Sequence, residues 1–213
     1  MSKKQFYTLP NDLPLESGSV LKTPTVAYNT YGTLNESKDN VVWIFHALTA
    51  ASNVDEWWEG LVGEGKLFNP DNHYIVCANI LGSCYGSTGP NSINPDTGKP
   101  YFHSFPDITI RDIVNSLIEL RKYLGIDKIK MAVGGSCGGY QALEWLLMEP
   151  ETIENYTICV TSPKESAWGV AVHTAHRTAI ELDPTWNQDR EDSGLEGMKG
   201  ARQIGLLFYR NHE

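Results

Sequence analysis

Val41-Val42-Trp43-Ile44-Phe45 is an unbroken apolar run bounded by Asp39-Asn40 and His46, the pattern of a strand buried on both faces. Residues 73–78 repeat that pattern, and a third apolar run at 129–133 leads through Gly134-Gly135-Ser136-Cys137-Gly138 into a helix-like stretch over 139–148. Pro150 stops that stretch, and 156–160 read as a further buried strand. Residues 20–31 alternate apolar and polar positions around Lys22-Thr23-Pro24 and end at Tyr31-Gly32, which predicts an antiparallel hairpin at the sheet edge. Ile110, Ile113, Val114, Leu117, Leu120 and Leu124 recur at helical spacing, with Thr109 able to cap the start and Gly125 following the end. They predict an amphipathic helix over 109–124. Strands alternating with helices in this order predict an α/β fold: a mostly parallel, right-handed sheet covered on both faces.

After Ser162-Pro163 the pattern changes. Two helical stretches, 165–182 and 195–209, flank a polar loop at 183–193 and are expected to form a lid above the sheet. This divides the chain into a core, 1–162, and a lid segment, 163–213. The stretch 80–105 is rich in Gly, Ser, Asn and Pro, and a loop of that length inside a compact domain points to a functional role.

Composition narrows the function classes. The 213 residues suffice for one sizeable core. A net charge of −9 leaves no basic face for a phosphate backbone, so nucleic acid is not an expected partner. The four cysteines, Cys77, Cys84, Cys137 and Cys159, lack metal-ligand spacing and read as reduced thiols in a cytoplasmic protein, with no metal. Met1-Ser2-Lys3-Lys4-Gln5-Phe6 has no apolar segment behind it, so no signal peptide is expected, and no apolar stretch is long enough for a membrane span.

The chemistry concentrates at Ser136. A strand feeding a helix through G-x-S-x-G is the pattern of a nucleophile elbow, which holds a serine hydroxyl at the carboxyl edge of a parallel sheet. Cys137 places a thiol beside it. An elbow exposes only its central residue and turns the next side chain into helix packing, so Ser136 is the expected nucleophile.

Five segments extend this reading: His46-Ala47-Leu48-Thr49, Trp57-Trp58-Glu59-Gly60-Leu61, the run from Asn79 to Pro90, the run from Phe105 to Asp112, and the run from Gly134 to Trp145. In order and spacing the chain resembles the homoserine O-acetyltransferase family of the α/β-hydrolase fold. The resemblance implies transfer of an acetyl group from acetyl-CoA to the hydroxyl of L-homoserine through an acyl-serine, for methionine biosynthesis, with acetyl-CoA as co-substrate and no bound cofactor. It implies backbone oxyanion donors at Leu48 and Cys137, where the family usually carries Met at the second position. Ala201-Arg202-Gln203-Ile204-Gly205 matches the family segment whose arginine contacts the homoserine carboxylate, a role suited to a planar fork of donors. Tyr209-Arg210 also match the lid pattern, Arg177 reads as structural, Trp57 and Trp58 as core or pocket wall, and a homodimer through the lid helices is implied.

The fold's triad continues with an acid and then a histidine on loops after later strands. Neither has a counterpart after Ser136. His46 reads as structural, His73 and His103 precede the nucleophile, His173 and His176 fall in the first lid helix, and His212 is next to last. The chain is therefore expected to be the N-terminal portion of a longer product or a truncated, inactive relative whose cut sheet exposes an apolar edge. An esterase and a non-catalytic remnant stand as alternatives.

Overall fold

The computed structural model describes residues 3–210; Met1, Ser2 and His212 lie outside them. Six strands form the main sheet: β1 (Gln5–Thr8), β2 (Thr25–Tyr31), β3 (Val41–Phe45), β4 (Tyr74–Ala78), β5 (Met131–Gly135) and β6 (Tyr156–Cys159). Their order across the sheet is β1-β2-β4-β3-β5-β6. The β4–β3, β3–β5 and β5–β6 pairs are parallel, and the β1–β2 and β2–β4 pairs are antiparallel. The helices are α1 (Val54–Trp57), α2 (Ile110–Tyr123), α3 (Cys137–Met148), α4 (Ala167–Glu181) and α5 (Leu195–Tyr209).

The strand pleat splits β3 between two cores. Val41, Trp43 and Phe45 face α2 and α3, whereas Val42 and Ile44 face Val54, Val62 and Phe68, the short α1 and the loop behind it. Trp145 of α3 anchors the first layer. It is fully buried and meets the rings of Trp43 at 5.0 Å and Phe45 at 5.8 Å, both edge-on. The expected α2 forms, one residue shorter at each end than the pattern suggested. The Thr109 side chain accepts from the Asp112 amide while the Asp112 carboxylate accepts from the Thr109 amide, a reciprocal capping box.

Three expectations are corrected. Residues 20–31 are not a hairpin. Val20–Leu21 pairs with Leu13–Pro14, and β2 lies inside the sheet because β1 covers its outer side. The break falls at Thr23, whose positive φ of 32° redirects the chain before Pro24. The strand before Ser136 starts at Met131 rather than 129 and runs on to Gly135; Ile129 makes only an isolated bridge to Ile153. The strand at 156–160 is not buried. β6 is the open edge, with Tyr156 52% and Val160 88% exposed, because no described residue pairs with its outer side.

The two long helices after the core pack against each other. Asp183, in the loop between them, organises their junction. One carboxylate oxygen accepts from the Thr185 amide and hydroxyl, at 2.8 and 2.7 Å, and the other from the Gly197 amide, at 2.8 Å. These donors favour the ionised form and hold its pKa down at about 2.

Trp145→Ala is expected to lower stability by about 3–5 kcal/mol in urea unfolding, since it empties the space between two aromatic rings. For Asp183 the folded pKa lies below the unfolded value of about 3.9. Its contribution is therefore complete above that value and is lost as pH falls through about 2. The difference in melting temperature between the native chain and Asp183→Asn should accordingly shrink as pH drops from about 5 toward 2; a constant difference would contradict the assignment.

Candidate active site

Ser136 follows β5 and caps α3 with φ 54° and ψ −121°, a combination that costs a residue with a Cβ on the order of 1–3 kcal/mol. The turn persists because its neighbours fix it. The Ser136 amide donates to Cys159 O at 3.1 Å, and its carbonyl accepts from Gly139 and Tyr140 at 2.9 and 3.3 Å. Gly134 and Gly138 allow the strand, the turn and the end of β3 to approach this closely. A Cβ on Gly134 would lie 2.4 Å from Gly138 O, and one on Gly138 would lie 2.2 Å from Phe45 O. The outcome is an exposed serine hydroxyl at the carboxyl edge of the sheet.

Cys137 turns inward, as expected. Its side chain packs against the core, Gln141 Nε2 approaches its Sγ at 4.0 Å, and burial pushes the thiol pKa up, away from the reactive thiolate. The amide of Cys137 is the first of α3 and meets no acceptor among the described residues, as helix geometry requires of a first-turn N–H.

Leu48 lies in the loop after β3, and its side chain is exposed. That loop adjoins the elbow, since both Phe45 O and His46 O border Gly138. Among the described residues the Leu48 amide likewise has no protein acceptor. His46 is fully buried. Its Nε2 accepts from the Ile80 amide at 3.2 Å, and its Nδ1 lies 2.8 Å from Ala47 O. Burial lowers its pKa, so it is a neutral, fully engaged ring, in keeping with the structural reading.

Among the described residues, none of the remaining candidates hydrogen-bonds to Ser136. Arg202 is an exposed residue of α5 with no ion pair among the described residues, and Arg177 donates to Thr174 Oγ1 on its own helix. Trp57 donates to Ala51 O at 2.8 Å, lies with its ring tilted 5.0 Å from that of Trp58, and both pack against the second core layer. His73 and His103 contact the carbonyls of Asn69 and Trp186, and His173 and His176 face each other on α4. Two contacts that the sequence did not signal join the helical pair to the core: Tyr140 Oη donates to Glu165 Oε2 at 2.7 Å, and the His103 ring meets Trp186. Each spans a long sequence separation and leaves no periodic trace.

Residues 40–194 match the family model of the alpha/beta hydrolase fold. A homoserine O-acetyltransferase from Cyclobacterium marinum is 46% identical over 211 residues, covering 99% of this chain and 60% of that protein. The crystal structure of a homoserine O-acetyltransferase from Bacillus anthracis superposes with a TM-score of 0.89 at 30% identity, covering 97% of this chain and 60% of its own. Esterase E22 superposes with a TM-score of 0.88 at 31% identity, covering 97% of this chain and 61% of its own. The chain thus spans about 60% of the length of the relatives it matches.

Ser136→Gly should relieve the turn and raise stability by about 1 kcal/mol in urea unfolding of the 213-residue chain. A clear loss of stability would mean that the serine is not strained.

Proposed function

Because the chain belongs to the α/β-hydrolase fold family, and curated relatives such as that of Cyclobacterium marinum are homoserine O-acetyltransferases, we propose that it supplies the nucleophile half of such an enzyme. The observation that carries this reading is the exposed Ser136 hydroxyl on a strained turn, followed by the Cys137 amide and adjoined by the loop that holds the Leu48 amide, both without protein acceptors among the described residues.

In the reaction proposed, Ser136 Oγ attacks the thioester carbonyl of acetyl-CoA and gives up its proton to a base. The thiol of CoA leaves, and the acetyl group remains as a serine ester. The hydroxyl of L-homoserine then attacks that ester, which frees Ser136 and yields the O-acetyl product, a step suited to methionine biosynthesis in the cytoplasm. The amides of Leu48 and Cys137 bind the oxyanion of both tetrahedral intermediates. Losing one such donor typically costs on the order of 10²–10³ in rate. Arg202, with its unpaired guanidinium, takes the homoserine carboxylate. His46, at the start of the adjoining loop, has both ring nitrogens engaged, and the base is assigned to sequence that the longer relatives carry beyond the matched region. The exposed helical pair is the surface for a homodimer.

One observation favours a second reading. Ser136 is open to water, and esterase E22 shares the fold at 31% identity, so hydrolysis of the acyl-enzyme competes wherever water is not excluded.

The test is a fusion of this chain to the C-terminal portion of the Cyclobacterium marinum relative, incubated with radiolabelled acetyl-CoA. Label is expected on Ser136, is released to homoserine faster than to water, and is absent from Ser136→Ala. Label persisting in the Ser136→Ala protein would sink the assignment, and faster release to water would select the esterase reading.

A further inference from the structure

We infer that His46 is a positioning residue of the oxyanion hole, acting through the Ala47–Leu48 peptide plane. The inference rests on the proposed role of the Leu48 amide and explains what aims it.

The Ile80 amide can only donate, so His46 Nε2, 3.2 Å away, accepts. A neutral ring then carries its proton on Nδ1, which donates to Ala47 O at 2.8 Å. The same carbonyl accepts from the Ala50 amide at 2.9 Å. With two donors, the Ala47 C=O is fixed in direction. A trans peptide is planar, so the N–H of Leu48 must point the opposite way, with no freedom to follow a local acceptor. It is the amide left without one.

The second proposed donor is aimed by the same device. Ser136 C=O accepts from the Gly139 and Tyr140 amides, at 2.9 and 3.3 Å, which fixes the N–H of Cys137. Thus each oxyanion amide belongs to a peptide plane whose carbonyl is locked by two donors. At the elbow both donors are backbone groups supplied by the helix. At the loop one of them is a side chain, His46, which makes that position open to mutation.

The loop is also tied to the elbow helix. Gln141, fully buried on α3, donates through Nε2 to Cys137 O at 3.2 Å and reaches His46 O at 3.5 Å. At the far end of the loop, Ser52 donates its amide to Asn79 Oδ1 at 2.8 Å. Movement of the His46 ring would therefore be felt at Leu48 rather than absorbed elsewhere.

Two substitutions separate positioning from packing. His46→Leu keeps an apolar bulk and removes the donor to Ala47 O, while His46→Asn can place an amide N–H where Nδ1 stood. In the fusion described above, His46→Leu is expected to lower kcat about 10²-fold with little change in KM. It should also erase the preference for an oxygen ester over the thionoester in which sulfur replaces the carbonyl oxygen, and His46→Asn should recover at least about tenfold of the loss. If both variants fold, by near-ultraviolet circular dichroism, and share one kcat or keep the native oxygen-to-sulfur ratio, the inference is overturned. Should the unsubstituted fusion show no turnover, the functional reading fails by itself, and the 213-residue chain still decides the positioning claim. There, hydrogen exchange at the Ala50 amide should accelerate in His46→Leu and stay near native in His46→Asn, because the two donors share one carbonyl. Unchanged exchange in His46→Leu would refute it.

Discussion

The site depends on bare backbone meeting bare backbone at the elbow. Phe45 O, at the end of the central strand, comes so close to Gly138 that a methyl group there would lie 2.2 Å away, and Gly134 faces Gly138 O in the same way. That contact sets the height at which α3 leaves the sheet, and hence how far Ser136 stands out. It also brings the loop after β3 against the first turn of α3, so that the amides of Leu48 and Cys137 lie on the two elements that flank the nucleophile. The buried aromatic trio of Trp43, Phe45 and Trp145 holds the strand and helix together behind this junction. Packing and chemistry are thus one arrangement: the core sets a peptide geometry that leaves two amides unpaired and one serine strained.

The local parts of this arrangement were legible in the residues. Thr109 announces the start of α2, the helical stretch after the polar loop 183–193 coincides with α5 at Leu195–Tyr209, and G-x-S-x-G between an apolar run and a helical one gives the elbow. What escaped was non-local. β1 is four mostly exposed residues with no hydrophobic signature, yet it moves β2 from the edge to the interior. β6 reads as buried because Tyr156, Ile158 and Val160 are apolar, but burial depends on what lies alongside, and the composition of a strand does not carry that information. The orientation of Leu48 depends on a histidine whose other nitrogen is held 34 positions away, a relation that no periodicity encodes.

Two features leave apolar surface open on the described structure. β6 presents an unpaired edge with exposed apolar side chains, and the surfaces of α4 and α5 carry Trp168, Leu206, Leu207, Phe208 and Tyr209 in the open. Exposed apolar area of this kind is unusual on a self-sufficient domain and common where another segment or chain packs. The helical pair meets the core through the Tyr140–Glu165 hydrogen bond and the His103–Trp186 contact, so it is joined at discrete points rather than through a shared hydrophobic layer.

The central claim is that an oxygen bonded to the acyl carbon at Ser136 meets the amides of Leu48 and Cys137. A crystal structure of the fused protein carrying a methylphosphonate ester on Ser136, a tetrahedral mimic of the intermediate, tests it directly. The prediction is one phosphoryl oxygen about 2.7–3.1 Å from both amide nitrogens. A phosphoryl oxygen turned to solvent, with the Leu48 amide pointing away, would contradict it.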